Sequence, residues 1–282
     1  MIIENGIVVD NPVNNTIAGE DLKYSDCCIE FRGKGNILYA EPGVDLSDST
    51  INFFGDNALL YLSSNTKHQY KLKIDLWRET TAFFGRDSYF NGIFSAIVSE
   101  RQNLVIGNDG VFSFGIWLRT ADPHLIYDAS TGKRTNMSKS IFIGDHVWIG
   151  QNALILKGCR IGSGSIVSAA AVLAGKVVQS NSIYAGNPAR MIKNNVFFIG
   201  RSVHNYTKKK SERSMQSEIK DFIYHEPVER FDFDSVNESL TNAANARERL
   251  DLVRTQIASQ TGKDRFYIPG ARKKPGLFSG RK

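Results

Sequence analysis

The chain has little cysteine, three in 282 residues, and little proline, seven. Cys27 and Cys28 are adjacent and Cys159 is far away, so no disulfide framework, CxxC pair or zinc-type spacing exists. Reduced thiols in a cytoplasmic protein are the expectation. No apolar run approaches the roughly 18 residues that would span a bilayer. The start, MIIENGIVVDNPVN, has no basic n-region and no long apolar h-region, so it does not read as a secretory signal. A strong excess of either charge is also missing from most of the chain. Residues 261–282 carry seven of the 35 cations and one of the 29 acids, Asp264, and the other 260 residues hold 28 of each. A neutral body with a basic tail is not the profile of a nucleic-acid binder.

Apolar residues make up 41% of the chain, enough for a buried core. Glycine is plentiful at 24, which suits many tight turns between short extended segments. From residue 143 the sequence falls into sixes: IGDHVW, IGQNAL, ILKGCR, IGSGSI, VSAAAV, LAGKVV. Each hexad opens on an aliphatic residue (Ile143, Ile149, Ile155, Ile161, Val167, Leu173), and Gly144, Gly150 and Gly162 follow three of them. A period of six is neither helical nor a hairpin alternation. It describes short strands joined by tight corners, each turning one aliphatic inward, with three strands closing one coil. Coils bury their aliphatics only against neighbouring coils, so several must stack. The expected fold is all-β, a parallel β-helix.

Upstream, Ile106, Phe112 and Leu118 keep the step of six, and segments such as STINFFGDNALLYL and YKLKIDLW alternate like strands. Residues 1–100 are read as irregular or wider β coils, and 101–193 as the regular hexapeptide coil. The stretch 120–140, TADPHLIYDASTGKRTNMSKS, breaks the hexads as a long loop excursion, where function is usually placed. Residues 194–282 form a C-terminal extension. Within it a helix is expected over 235–260, opened by a Ser235–Glu238 capping box. Its apolar face (Val236, Leu240, Ala243, Leu250, Val253, Ile257) would dock on the body, with self-association through it as the alternative. The tail 261–282 follows, too rich in proline and glycine for a stable helix.

The stretch from LRTADPHLIYDASTGKR through IFIGDHVWIG to IYAGNPARMIK resembles the left-handed β-helix, hexapeptide-repeat acetyltransferases. Among these it is most similar to bacterial O-acetyltransferases of capsule and surface polysaccharides, including those acting on sialic acid. VFFIGRSVHNY, after the coils, resembles the matching stretch of the sialic acid enzymes. The likeness covers about residues 101–206. It implies left-handed coils, although crossover physics alone would favour a right-handed connection. It also implies acetyl-CoA as cosubstrate, a homotrimer with acetyl-CoA between the coils of adjacent subunits, and a saccharide acceptor.

Acyl transfer to a sugar hydroxyl needs a base near neutrality, and imidazole suits it. The family places its catalytic histidine in D-x-H ahead of the I-x-I-G-x-x-V-W-I-G coil, which here is Asp122-Pro123-His124. His124 is therefore the expected general base. Direct transfer is expected, since no Ser or Cys sits in a nucleophile motif beside it. His146 reads as a solvated corner residue, and His68, His204 and His225 have no supporting motif. With no HxxxxH pair, a zinc-dependent β-helical carbonic anhydrase is rejected and no metal is expected. Asp122 either orients the imidazole, contacts the acceptor or starts an Asp-Pro turn. Arg119 and Tyr127 are candidate acceptor contacts or surface residues, and a guanidinium would match an acceptor carboxylate.

Trp148 is too large for a narrow aliphatic interior and should point outward. The resemblance places it beside the acetyl thioester and pantetheine arm, and it counts with His124 in the catalytic pair. Small residues (Ala169, Ala170, Ala171, Ala174, Gly175) would leave room for an extended arm, with Ala169 and Ala171 lining it, where many relatives carry GAGS. Lys176, Arg190 and Lys193 are the phosphate candidates. The basic tail reads as a disordered, solubilising segment, with weak contact to an anionic polymer or membrane surface as the alternative. A non-catalytic β-helix scaffold that binds glycans is the alternative to an enzyme; it would have no use for this set.

Overall fold

The computed structural model describes residues 14–270, together with the backbone of two short strands, Ile2–Glu4 and Ile7–Asp10. The cationic stretch 271–282 of the tail lies outside the described residues. The chain winds into a left-handed parallel β-helix of seven full coils and part of an eighth. The first face is a nine-stranded sheet, the second has eight strands, and the third has six, preceded by a two-stranded piece.

Coil width changes along the axis. In the early coils Leu59 pairs with Thr81 and Thr81 with Asn103, a rise of 22 residues. After the loop, Phe142 pairs with Arg160, a rise of 18. The wider coils need bulkier filling. Phe31 stacks on Phe53 at 4.4 Å, and Phe94 packs edge to face with Phe84, Phe90 and Phe112. The 18-residue coils have room only for aliphatics, and Ile143, Ile149, Ile155, Ile161, Val167 and Leu173 are all buried. Each contributes roughly 1.5–3 kcal/mol of burial. The hexad glycines sit where coils nearly touch: a Cβ at Gly144 would lie 2.6 Å from the Ser163 backbone nitrogen.

The second face is buried on both sides. Leu59–Leu62, Thr81–Phe84 and Asn103–Ile106 are buried at every position, the signature of a strand covered twice. Its outward side chains, Tyr61, Phe83, Val105 and Phe142 among them, meet Val236, Leu240, Leu250, Val253 and Ile257 of the C-terminal extension. The expected apolar helix face thus docks on its own body.

The single helix expected over 235–260 is corrected to two. After a short exposed helix, α1 (Lys208–Arg213), come α2 (Phe233–Asn242) and α3 (Ala246–Val253), the latter running into a wider turn over Arg254–Ala258. The Asn245 side chain accepts from the amides of Arg247 and Glu248, and this cap restarts the helix after extended Ala243. The Ser235 capping box does not form. Asp232, three residues earlier, accepts from the Asp234 and Ser235 amides at 3.0 Å, so the helix begins sooner and Phe233 reaches Phe142.

The first part of the tail is not a solvated strand of charge. Phe266 is 1% exposed among the helix residues, and Ile268 hydrogen-bonds through its carbonyl and amide to Ser180. Arg265 is buried and donates to both oxygens of Asp145 at 2.7 and 2.9 Å. Asp145 also accepts from the Asn108 amide at 2.6 Å, so one carboxylate joins two coils and the extension.

Removing one partner of a buried pair leaves an uncompensated charge. Arg265→Ala is expected to cost about 3–5 kcal/mol in chemical denaturation, enough to loosen the extension. A chain ending at residue 270, which keeps Arg265, Phe266 and Ile268, is expected to melt like the full chain in calorimetry.

Candidate active site

The excursion over 120–140 leaves the first face after the strand Trp117–Arg119 and returns to the second at Ile141–Ile143. It therefore projects from the corner between those two faces. Its root is closed where the Lys139 amide donates to the Thr120 carbonyl at 3.0 Å, and Thr120 is itself buried. Farther out the loop is a small hairpin, with Tyr127 bridged to Arg134. Asp128 caps the turn, accepting from the amides and hydroxyls of Ser130 and Thr131. Those bonds hold its carboxyl at about 2.

Asn136 sits at the centre of the loop, 7% exposed. Its side chain donates to the His124 carbonyl at 2.8 Å and to Asp122 at 3.1 Å, and accepts from the Ile126 amide at 2.9 Å. Lys157, from the next coil, donates to Asp122 at 2.6 Å and to the Asn136 carbonyl at 3.1 Å. On the other side Arg134 and Ser138 both hydrogen-bond Glu100. These bonds hold the Glu100 carboxyl at about 2, and those from Lys157 and Asn136 lower that of Asp122. Both are depressed, so the tether is complete above the ordinary carboxylate range and is lost only as pH falls through the lowered values.

This frame presents the His124 imidazole to solvent, with Leu125, Ile126 and Tyr127 also exposed at 59, 52 and 56%. Arg119 is half-buried at the loop root. Trp148 stands apart from this group. It lies in the strand Trp148–Ile149 of the third face, paired with Val111 and Ile166, and its indole points outward at 41% exposure. The third face is opposite the corner that carries the loop. Arg190 and Lys193 share it, exposed on the antiparallel strand Arg190–Asn194.

The other coenzyme-side positions divide. Ala169 is exposed at the corner between the third and first faces. Lys176 belongs to the loop's corner, ahead of the strand Val177–Val178. Ala171 is a correction. It is fully buried in the core, because it holds the small position two before the inward Leu173, so its side chain lines no groove. His146 is a second correction. It is 4% exposed rather than solvated, its ring lying between Phe198 and Phe222, and burial lowers its pKa.

Asn136, Lys157, Glu100 and Arg134 escaped the sequence reading. They are polar residues scattered over 58 positions, and no spacing rule joins them before the loop folds. Among the described residues no group of three or more His, Cys, Asp or Glu side chains could hold a metal ion, and no helix is long and apolar enough to cross a membrane. A cleft of about 410 Å³ lined by Arg160, Phe231, Phe233 and Tyr267 lies on the second face under the extension; it contains no histidine.

The stacked hexads place the chain in a class of transferases. Residues 140–175 match the family described as bacterial transferase hexapeptide (six repeats). Two polysialic acid O-acetyltransferases are similar in sequence. One, from Escherichia coli O1:K1 / APEC, is 34% identical over 102 residues, covering 36% of this chain and 33% of that enzyme. The other, from Neisseria meningitidis, is 28% identical over 150 residues, covering 52% of this chain and 67% of that enzyme. In three dimensions the crystal structure of the polySia-specific acetyltransferase NeuO superposes with a TM-score of 0.63 at 30% identity, covering 71% of this chain and 93% of that one. The chain belongs to the hexapeptide-repeat acetyltransferases.

Asn136→Ala deletes the bonds that join His124, Ile126 and Asp122. Hydrogen exchange at the Ile126 amide is expected to speed up about tenfold, the size of one lost hydrogen bond. The melting temperature should stay close to wild type, because the solenoid core is untouched.

Proposed function

We propose that the protein is an acetyl-CoA-dependent O-acetyltransferase acting on a sugar hydroxyl of a bacterial surface glycan, with capsular sialic acid or polysialic acid the leading acceptor class. The observation that carries this reading is the solvent-facing His124 imidazole held on a hydrogen-bonded loop, in a chain that shares its coils with polysialic acid O-acetyltransferases. The protein works in the cytoplasm, where acetyl-CoA is made available.

A ring nitrogen of His124 takes the acceptor hydroxyl proton as the oxygen attacks the thioester carbonyl. The same proton then returns to the departing thiolate, so the imidazole ends neutral. Backbone N–H groups at the coil corner meet the charge that develops on the carbonyl oxygen. Acetyl-CoA supplies the activated acyl group. The exposed indole of Trp148 packs beside the thioester arm, and Arg190 and Lys193 on the same face meet the phosphates, with Lys176 approaching from the loop's corner. Ala169 leaves the arm room at the corner. Arg119 and Tyr127 face the acceptor. Asp122 acts as a positioning group, since Lys157 and Asn136 already hold its carboxylate.

His124 and Trp148 sit on opposite sides of one prism, so one chain does not bring them together. A homotrimer does, with the loop of one subunit beside the third face of its neighbour. The exposed Trp117, Leu125, Ile126 and Trp148 suit such a contact.

His124→Ala is expected to lower kcat about 10²–10⁴-fold with little change in acetyl-CoA affinity by calorimetric titration. Trp148→Ala and Arg190→Ala should weaken acetyl-CoA binding more than acceptor binding. Co-assembling His124→Ala with Trp148→Ala subunits tests the shared site. At acetyl-CoA concentrations too low for the Trp148→Ala parent to turn over, random mixing is expected to restore about a quarter of wild-type activity, because each site draws on two chains. A mixture as inactive as its parents would place both residues of a site in one chain. The acceptor is identified by thiol release from acetyl-CoA with sialic acid, polysialic acid, hexoses and N-acetylhexosamines in parallel.

A further inference from the structure

His146 is a buried histidine that the proposed chemistry does not use. It occupies the corner between the second and third faces, with a left-handed backbone at φ 51. Its ring is a filling between two others. Phe198 lies 4.1 Å away and Phe222 3.7 Å away, centroid to centroid, both within 11° of parallel. Nε2 is 3.1 Å from the Phe198 carbonyl oxygen. A carbonyl can only accept, so the ring carries its proton on Nε2 and donates it there.

Phe198 and Phe222 both come from the connection between the last coil and the helices. That connection has few anchors. Asn181 holds it at two points, donating to the carbonyls of Val196 and Phe222 at 2.9 and 3.0 Å. Residues 200–205 and 207–218 are exposed throughout. His146 grips Phe198 by both ring and backbone, and Phe198 in turn packs against Trp148, with centroids 5.7 Å apart and planes tilted by 49°.

We propose that His146 is a positioning residue for the acyl donor: by clamping Phe198 it fixes the angle at which Trp148 stands on the third face. This rests on the reading that Trp148 borders the donor groove. The residue type fits the task. A flat ring can stack on both faces while an in-plane N–H reaches a carbonyl, and histidine tolerates the left-handed backbone better than most ring-bearing residues. Burial, the largest influence on its pKa, lowers it against the pull of the Phe198 and Asp109 backbones and of Asp145.

Two variants separate ring from backbone. His146→Asn keeps a side chain that accepts the left-handed corner but removes the ring; His146→Phe keeps the ring. Both are made in full-length protein and also in a Trp77→Phe, Trp117→Phe background, where Trp148 is the only fluorophore of its kind. The expected result for His146→Asn is a changed emission maximum and faster acrylamide quenching of Trp148. The same variant should raise the KM for acetyl-CoA about three- to tenfold, the range for one lost aromatic contact, with acceptor KM and kcat at saturating donor close to wild type. His146→Phe should restore most of both signals. Unchanged Trp148 fluorescence in His146→Asn overturns the proposal whatever Trp148 does in catalysis. So does a changed fluorescence with unchanged donor KM, provided Trp148→Ala itself raises that KM. If Trp148→Ala leaves donor binding intact, the donor-groove reading fails, and the fluorescence arm alone then decides whether His146 orients Trp148.

Discussion

Every coil of this protein depends on the one beneath it. A single coil of 17 to 23 residues has no interior of its own; its inward side chains find apolar partners only along the axis, in the same position one coil away. Parallel hydrogen bonds between like strands hold that vertical register, and a slip by one residue would turn every aliphatic outward. The rest follows from this stacking. Corners must close tightly, so glycine, asparagine and aspartate gather there. Segments that cannot stack must leave the coil altogether, as the loop over 120–140 does.

Stacking also decides where polar groups can be held. A corner loop has no core of its own, so it is ordered by hydrogen bonds rather than burial. The Asn136 side chain makes four of them at the base of the hairpin, and Lys157 and Glu100 reach in from the coils on either side. The outcome is an imidazole on a braced loop while the coil beneath stays apolar. The Asp145–Arg265 pair does similar work elsewhere, fixing the extension to a coil by a buried charge pair where a hydrophobic contact would bind without fixing register.

The aromatic residues outside the core follow a separate logic. The outward rings of the second face are covered by α2 and α3 within the same chain. Those of the first and third faces, Trp117 and Trp148 among them, stay exposed. One face is thereby closed by the chain itself, and two keep large rings at the surface.

The hexads from Ile143 to Leu173 were legible without coordinates, because a period of six has one architectural solution and each inward aliphatic marks its strand. The loop was legible as the place where that period stops, and the outward direction of Trp148 followed from its size in a narrow aliphatic coil. The apolar face of the extension was legible too, but not its break at Ala243, since a cap at Asn245 and a continuous helix carry the same apolar spacing. Ala171 and Ala169 looked alike as small residues; only the direction of each side chain distinguishes core from surface. His146 looked like a corner exposed to water until the connection from Phe198 to Phe222 folded back over it. Contacts between neighbours along a repeat are local and periodic, so the chain itself announces them. Contacts of Asp122 with Lys157, Asp145 with Arg265, or His146 with Phe222 join distant positions with no shared period, and only the folded coil brings them within reach.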